Sequence, residues 1–255
     1  MKNVDWTRDE HILAFNLYCK IPFTKINDSY PPIKELALVL GRTNGSVAMK
    51  MANFARLDPA LQARNVSGLK RGAKGEEDVW NEFTNNWENL AFESERILAY
   101  RTGTPIEVLA ELPDDEILLE GKEREALVKI RINQNFFRKS VLASYNDSCC
   151  ITGLAMPELL VAGHILPWAS DERNRTNPSN GLCMNALHDK AFDRGLMTIT
   201  PDYEIRVADQ LLDKERKCGN GNFFLAYHGK QIILPRKFLP QQEFLEHHST
   251  VLFRG

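Results

Sequence analysis

The sequence predicts an α+β protein with a helical N-terminal part and a mixed C-terminal part. Before about residue 145, apolar residues recur three and four positions apart, the spacing of an amphipathic helix. After residue 149, short apolar runs alternate with turn residues, which is typical of short strands and hairpins. The length of 255 residues is long for one compact domain and comfortable for two.

Three helices are predicted near the N-terminus, at residues 9–19, 33–40 and 46–57. Gly41 ends the second of them, and the RTNGS turn supplies capping residues for the third. A helix, a short glycine turn and a second helix form the outline of a helix-turn-helix. Residues 76–100 are predicted to form one long amphipathic helix with an apolar stripe.

The third helix and its entry carry side chains that could contact DNA. Arginine, lysine, asparagine and hydroxyl side chains are the groups that reach phosphates and base edges. The candidate DNA-binding residues are Arg42, Thr43, Asn44, Ser46, Lys50, Asn53 and Arg56. A small helical bundle with a structural or protein-docking role shows the same outline, so both interpretations stay open at this point.

Charge divides the chain into three segments, although the net charge is only −2. Residues 1–74 hold twelve Lys and Arg against six Asp and Glu; residues 75–125 hold four against fifteen; residues 126–255 hold sixteen against thirteen. A basic head and a mildly basic tail suit two phosphate-facing modules, and charge blocks that only keep the surface soluble would give the same pattern. We therefore predict a DNA-binding module at 1–74, an amphipathic helix and acidic linker at 75–125, with the domain boundary within 101–125, and a second domain at 126–255.

Composition argues against membrane and secreted classes. No stretch reaches the roughly 18 apolar residues of a membrane span, and the polar start MKNVDWTRDEH differs from a signal peptide. Five cysteines without a CxxC pair do not indicate a zinc ribbon and fit free thiols. We expect a cytoplasmic protein with no membrane partner.

The C-terminal part is predicted to combine short helices and strands. A helix is predicted at 132–145, strands at 149–154 and 158–165 joined by a Met-Pro turn, and a short helix at 183–193. A hairpin is predicted at 196–207, a further strand at 231–235, and a closing helix at 241–253.

Three polar residues in this part have the types and order that hydrolysis of a phosphodiester needs. His164 ends a strand, Asn180 follows in a loop, and His188 lies on the next short helix. An imidazole, whose ordinary pKa is near 6.5, can take a proton from water. An amide can hold that ring in orientation, and a further side chain can hold a metal against the phosphate.

The blocks CITGL, GHILPW and PSNGLCMNALHDKAFDRGLMTI resemble the HNH nuclease family, in the subgroup found in bacterial restriction-type enzymes. The resemblance spans residues 131–200 and implies a ββα-metal fold, a hairpin and a helix around one divalent cation, with Mg²⁺ expected and Mn²⁺ as an alternative. The block ELALVLGRTNGSVAMKMANFARLDP resembles a region that precedes such domains in some bacterial HNH proteins.

Residue by residue, the resemblance makes His164 the general base, Asn180 the residue that orients it, and His188 a metal ligand. Many HNH enzymes carry an Asp or His ligand just before the base, where this chain has Gly163. Further metal ligands are therefore expected nearby, with Asp193 and Asn185 as candidates, whereas Asp189 is expected to face solvent. Gly153 stands where a second zinc-binding cysteine would be.

Together these features predict a metal-dependent endonuclease of restriction or phage-defence type that acts on double-stranded DNA. Cutting both strands with one site per chain favours a homodimer. One alternative is a non-catalytic DNA-binding regulator with a decayed nuclease fold, which the Gly163 departure supports. Another is an RNase or defence effector gated by a partner or small molecule.

Overall fold

The computed structural model of the protein describes residues 5–64, 72–113, 121–219 and 221–255. The N-terminal part is helical: α1 (Arg8–Lys20), α2 (Pro31–Leu40), α3 (Asn44–Ala55), α4 (Pro59–Gln62), α5 (Lys74–Phe83), α6 (Trp87–Thr102) and α7 (Ile106–Leu109). Helix α8 (Gly121–Ser144) leads into β1 (Leu160–His164), β2 (Gly181–Asn185), α9 (Ala186–Asp193), β3 (Met197–Ile199), β4 (Ile205–Val207), α10 (Asp209–Cys218) and α11 (Gln242–His247). In the described ranges, no helix is long and apolar enough to cross a membrane.

Helix α1 is the centre of the N-terminal helices. A capping box closes its first turn, in which Thr7 and Glu10 satisfy each other's backbone N–H groups. Its residues Ile12, Phe15 and Tyr18 are fully buried, and α2, α3, α5, α6 and α8 pack around it. A helix covered on nearly all sides explains why its sequence is apolar over most of its circumference.

Two apolar clusters form the core, and α8 belongs to both. Val128, Ile132 and Phe136 pack with the N-terminal helices, whereas Phe137 and Val141 pack with the strands and with α9. The two clusters therefore meet along this continuous helix, and the domain boundary at residues 101–125 stays a prediction. The buried Lys237 adds a second link, donating hydrogen bonds to the carbonyls of Tyr18, Cys19 and Ile21 at the C-terminal end of α1.

Several predicted elements differ from the structure. The long helix expected at 76–100 is two helices, because α5 ends at Phe83 and α6 begins at Trp87. Residues 149–154 form turns rather than a strand, and β1 pairs antiparallel with β2 instead. The strand expected at 231–235 is reduced to a single bridge between Glu204 and Gln231. The predicted hairpin at 196–207 is present as β3 and β4.

Helices α2 and α3 are joined at Gly41, whose φ of 64° explains the glycine there. The polar side chains of α3, however, turn largely inward. Lys50 Nζ lies 2.6 Å from Glu76 Oε1, and Asn53 Nδ2 donates to the same oxygen at 3.0 Å. Arg56 lies 3.5 Å from the other Glu76 oxygen and pairs with Glu77.

Some of the remaining residues of the predicted DNA-binding set also bind other groups within the protein. Arg42 binds Glu10 at 2.8 Å, and the Thr43 hydroxyl caps α3 by accepting from the Ser46 N–H. Asn44 is the first residue of α3. Because Lys50 and Asn53 are buried against Glu76, they are not available to reach a DNA backbone, and the structure does not support the prediction for these residues.

Glu76 should therefore be a major determinant of stability. Its side chain is fully buried and accepts from Lys50 and Asn53, so Glu76→Gln leaves the Lys50 ammonium buried without its counter-charge. We expect the free energy of unfolding to fall by about 3 kcal/mol, the lower end for breaking a buried ion pair. Urea unfolding followed by circular dichroism would measure it. The neighbouring exposed pair gives the control: Glu77→Gln should change stability by less than about 1 kcal/mol.

Candidate active site

Strand β1 and the helix α9 form one side of a cavity of about 600 Å³. The register of the hairpin places His164 opposite Gly181, directly after Asn180. The side chains and backbone around the cavity include those of Gly163, His164, Trp168, Asp189, Lys190, Asp193, Arg194, His248 and Arg254. A strand, a loop and a helix therefore bring a base candidate, two carboxylates and several cations to one place.

The ring of His164 is held on three sides. Its Nε2 atom lies 2.8 Å from the carbonyl oxygen of Arg175, the ring of Phe137 stacks on it at 3.8 Å, and Trp168 meets it edge-on at 5.5 Å. Because a carbonyl oxygen can only accept, Nε2 carries the proton, and Nδ1 of the neutral ring is left as an acceptor. Burial lowers the pKa of His164 below its ordinary 6.5, which favours this neutral form near pH 7.

Asn180 connects the strand that carries His164 to the loop that binds it. Its side chain is buried; Oδ1 accepts from the Leu166 N–H at 2.8 Å, and Nδ2 donates to the Asn174 carbonyl at 3.1 Å. Its own carbonyl accepts from the Ile165 N–H. The amide thereby fixes the backbone on both sides of the His164–Arg175 hydrogen bond.

His188 and Asn185, the expected metal ligands, lie away from this cavity. His188 is buried, and its Nε2 atom lies 2.8 Å from the carbonyl oxygen of Phe223. Because a carbonyl oxygen can only accept, Nε2 carries the proton and donates it. Its ring meets Phe224 and Tyr227 edge-on, and its Nδ1 is buried with no hydrogen-bond partner among the described residues. Asn185 caps α9 by accepting from the His188 N–H at 3.0 Å. Both residues therefore have structural partners, and the geometry does not place them as ligands beside His164.

Asp189 lies at the cavity, where His188 was expected. The prediction that Asp189 faces solvent is therefore wrong. Asp189 is half-buried and lines the cavity together with Asp193, which lies one helical turn further along α9. Residues 188 and 189 are about 100° apart around the helix axis, whereas residues 189 and 193 share a face. Burial and the nearby Asp193 raise the pKa of Asp189 to about 6.

Gly163 explains how Asp189 reaches this position. A Cβ atom at residue 163 would lie 2.5 Å from Asp189 Oδ1, so the carboxylate occupies the space that a side chain there would fill. The strand position that lacks an acidic residue is thus compensated, in space, by an acidic residue from the helix. The pairing of Asp189 and Asp193 at i and i+4 was the sequence signal for this arrangement.

His248 and the C-terminal segment close the cavity. The His248 ring stacks on Phe192 at 3.6 Å, and its Nδ1 lies 2.8 Å from Thr198 Oγ1. Burial lowers its pKa to about 4, so it is a neutral wall of the cavity near pH 7. Arg254 reaches the cavity because its backbone N–H binds the Gly195 carbonyl at 2.8 Å. Sequence patterns did not indicate either residue.

A family model matches part of the chain. No curated protein is similar to the chain. The family model described as HNH endonuclease matches residues 149–200, the segment that contains β1, Asn180, β2 and α9. The match covers His164, Asn180 and both cavity aspartates. Residues 149–200 of this chain therefore form a domain of the HNH endonuclease family.

Proposed function

We propose that the protein is a metal-dependent endonuclease that hydrolyses DNA phosphodiester bonds in the cavity beside His164. The observation that carries this proposal is the state of the His164 ring. Its Nε2–H is bound to the Arg175 carbonyl, and the neutral ring lines a cavity that also holds two carboxylates and a cationic rim. An imidazole with one nitrogen fixed and the other unprotonated is suited to general-base catalysis.

In the proposed reaction, Nδ1 of His164 takes a proton from a water molecule as the water oxygen attacks the phosphorus atom. The bond from phosphorus to the 3′-oxygen breaks, the 3′-oxygen leaves and takes up a proton from solvent, and the 5′-phosphate keeps the new oxygen. The imidazolium that forms is stabilised by the Arg175 carbonyl at Nε2 and by the negative charge of Asp193, which already acts to raise the pKa of this ring. Phe137 keeps the ring from rotating. Asn180 is a positioning residue, because it holds the backbone on both sides of this hydrogen bond.

The cavity aspartates fit a divalent cation. Burial and the negative charge of Asp193 raise the pKa of Asp189, and a bound cation would favour its ionised form. Within the ranges that the structure describes, no three His, Cys, Asp or Glu side chains gather into a closed metal site. Two carboxylates with open positions match Mg²⁺, which usually keeps waters and binds substrate phosphate oxygens, and Mn²⁺ as a substitute. Such an ion supplies Lewis-acid stabilisation of charge on the phosphate and the leaving oxygen.

The rim of the cavity is suited to a polyanion. Lys190, Arg194 and Arg254 are exposed, and in the described part of the chain their side chains form no ion pair. Cations that stand near a nuclease site without a carboxylate partner can bind phosphates on either side of the cleaved bond. We propose this rim as the DNA-binding surface, and a contribution from the surface of α3 stays a prediction.

Removing one of these cations should change the salt dependence of binding. Arg254→Ala should lower the slope of log affinity against log salt concentration by about 0.9, the value for one lost phosphate contact on duplex DNA. Fluorescence anisotropy with a labelled duplex at several salt concentrations measures the slope. Arg216→Ala, on α10 outside the cavity, should leave it unchanged. Equal slopes for Arg254→Ala and the parent protein would remove Arg254 from the DNA path.

A cleavage assay tests the activity itself. The protein is incubated with unmodified duplex DNA, with base-modified DNA and with RNA, each with EDTA, Mg²⁺ or Mn²⁺. We expect cleavage of DNA that depends on the added metal, with 5′-phosphate ends as the family resemblance implies. Cleavage of RNA alone would favour the alternative of an RNase effector. Binding without any cleavage would favour a DNA-binding regulator with a decayed nuclease fold.

We further propose a restriction or phage-defence role in the cytoplasm, which rests on the resemblance to restriction-type enzymes. Cutting both strands would need two active sites, so we propose that two copies assemble on one duplex. Sedimentation of the protein with and without a specific duplex tests this assembly. A monomer that nicks one strand at a time would contradict it.

A further inference from the structure

The cavity beside His164 runs along the open edge of β1. Residues 161–165, five in a row, line it, whereas none of the described residues 181–185 of β2 does. Successive side chains of a strand point to opposite faces of a sheet, so consecutive residues border one cavity only where the backbone itself faces it. The other edge of β1 is paired with β2. Main-chain groups of β1 therefore form part of the cavity wall.

The hydrogen-bond register shows which of these groups point out from the edge. The Ile165 N–H donates to the Asn180 carbonyl at 2.9 Å, and an antiparallel ladder alternates between bonded and non-bonded pairs. The next bonded residue of β1 is therefore Gly163, and Ala162 and His164 turn their N–H and C=O groups away from β2. Among the described residues, no backbone group outside the hairpin binds these four groups.

The surroundings of this edge favour an anion over another strand. An open edge can add an extended peptide, but here the free part is only two residues long, because Arg138 donates to the Leu160 carbonyl at 3.1 Å. Asp189 lies over the face of the strand at Gly163, not along its edge. The same cavity is lined by three basic side chains, Lys190, Arg194 and Arg254. Backbone N–H groups and basic side chains are both typical contacts for phosphate oxygens.

We propose that the Ala162 N–H donates a hydrogen bond to a non-bridging oxygen of the DNA phosphate next to the cleaved bond. This inference rests on the proposed nuclease function, because it names how that site holds its substrate. The carbonyl groups on the same edge cannot bind a phosphate, so the contact is a single hydrogen bond from a neutral donor. It fixes the position of the DNA strand along β1, while the basic side chains supply the charge.

The length of the strand supports this position. His164, the proposed base, ends β1, and Ala162 lies two residues earlier, about 7 Å along the strand. That distance is about the length of one nucleotide. When the cleaved phosphate lies beside the His164 ring, a DNA strand that follows the edge of β1 brings its next phosphate to the Ala162 N–H.

Exchange of Ala162 for lactic acid tests this contact, because it replaces the N–H by an oxygen atom and leaves the side chain in place. Affinity for a labelled duplex is measured by fluorescence anisotropy in EDTA, at several salt concentrations. We expect the affinity to fall about tenfold, the loss of one hydrogen bond to a charged acceptor. The slope of log affinity against log salt concentration should not change, because a neutral donor releases no counterion.

The control is the corresponding exchange at Leu182, whose N–H lies in the ladder opposite Gly163. It should lower thermal stability and leave the DNA affinity of the folded protein unchanged. If the lactic acid variant does not fold, Ala162→Pro removes the same N–H at an edge position where the ladder loses no bond. Unchanged affinity in a folded variant, or a loss that comes with a lower salt slope, overturns the proposal.

A duplex that carries one neutral methylphosphonate identifies the phosphate. The group is placed in turn at each position around the main cut, and affinity is measured for the parent protein and the Ala162 variant. At the phosphate next to the cut, the loss should be about tenfold larger in the parent than in the variant. Equal losses at every position overturn the contact. A parent protein that cuts no DNA, but loses affinity when Ala162 is exchanged, would contradict only the nuclease function.

Discussion

His164→Ala should bind DNA with near-normal affinity and cleave it at least ~100-fold more slowly, the low end of a general-base contribution. The ring makes one hydrogen bond, from Nε2 to the Arg175 carbonyl, and lines the cavity with its other edge. The phosphates are left to Lys190, Arg194 and Arg254. A group that acts on the attacking water affects the transition state more than the bound ground state, so the loss should fall on the chemical step.

The pH dependence follows from the same ring. Only neutral imidazole can accept a proton, so cleavage should fall as the pH drops through the pKa of His164. Burial places that pKa below the ordinary 6.5, and cleavage should therefore persist to a lower pH than an exposed histidine would allow. The residual cleavage by His164→Ala should not show the fall in rate at low pH that protonation of His164 causes in the parent protein.

Thermal stability, DNA affinity and single-turnover cleavage are measured on one preparation of each protein. His247→Ala, an exposed histidine on α11, is the matched control and should cleave at the parent rate. If the ring served only the core, His164→Ala would lose stability and DNA binding together, with unchanged cleavage per folded molecule. Near-parent single-turnover cleavage by well-folded His164→Ala would remove it as the base.

The position of His164 at the end of a strand could be predicted because the signal for it is local in sequence. A histidine at the end of a short apolar run and an asparagine before a glycine already suggest a strand and the loop that returns to it. What the sequence did not show was the strand partner. Residues 149–154 have an apolar composition suited to a strand, yet β1 pairs with residues 181–185, of which four of the five are buried.

Which of the neighbouring residues His188 and Asp189 lines the cavity depends on how α9 is rotated about its axis. Metal-ligand chemistry favoured the histidine, but a rotation of about 100° separates the two side chains. The direction was fixed by Asn185, which starts α9, and by apolar contacts of Phe192. Periodicity could have shown that Asp189 and Asp193 share a face, though not that this face lies over Gly163.

The polar face of α3 shows a different limit of sequence reasoning. Lys50, Asn53 and Arg56 have the spacing of a DNA-contacting helix, and nothing in that segment reveals their partner. Glu76 comes from α5, 26 residues after Lys50. Whether the basic side chains of a helix are exposed or paired with a carboxylate therefore depends on contacts between residues far apart in sequence, which a count of charges does not show.

Asp189→Asn should raise the Mg²⁺ or Mn²⁺ concentration needed for half-maximal cleavage by at least ~10–100-fold, the range found for partners one shell further from a metal. The change removes a negative charge that lies with Asp193 on one face of α9. Because the pKa of Asp189 is about 6, metal binding by the parent should also weaken below pH 6, as the carboxylate takes up a proton. Mn²⁺ binding followed by electron paramagnetic resonance measures the affinity without relying on activity.

A carboxylate exchange gives the sharpest test of this assignment. Asp189→Ala removes the helix carboxylate, and the double variant Gly163→Asp with Asp189→Ala introduces one from the strand into the space that Asp189 vacates. Met184, whose terminal methyl would lie 3.0 Å from the new Cβ, is flexible enough to move. We expect Asp189→Ala to lose Mn²⁺ affinity and cleavage together, and the double variant to regain at least part of both. The control is Asp213→Ala, an exposed aspartate of α10 outside the cavity, which should keep parent affinity. Parent-like metal affinity in Asp189→Ala would show that the cation is held elsewhere, and the proposed metal site would be wrong.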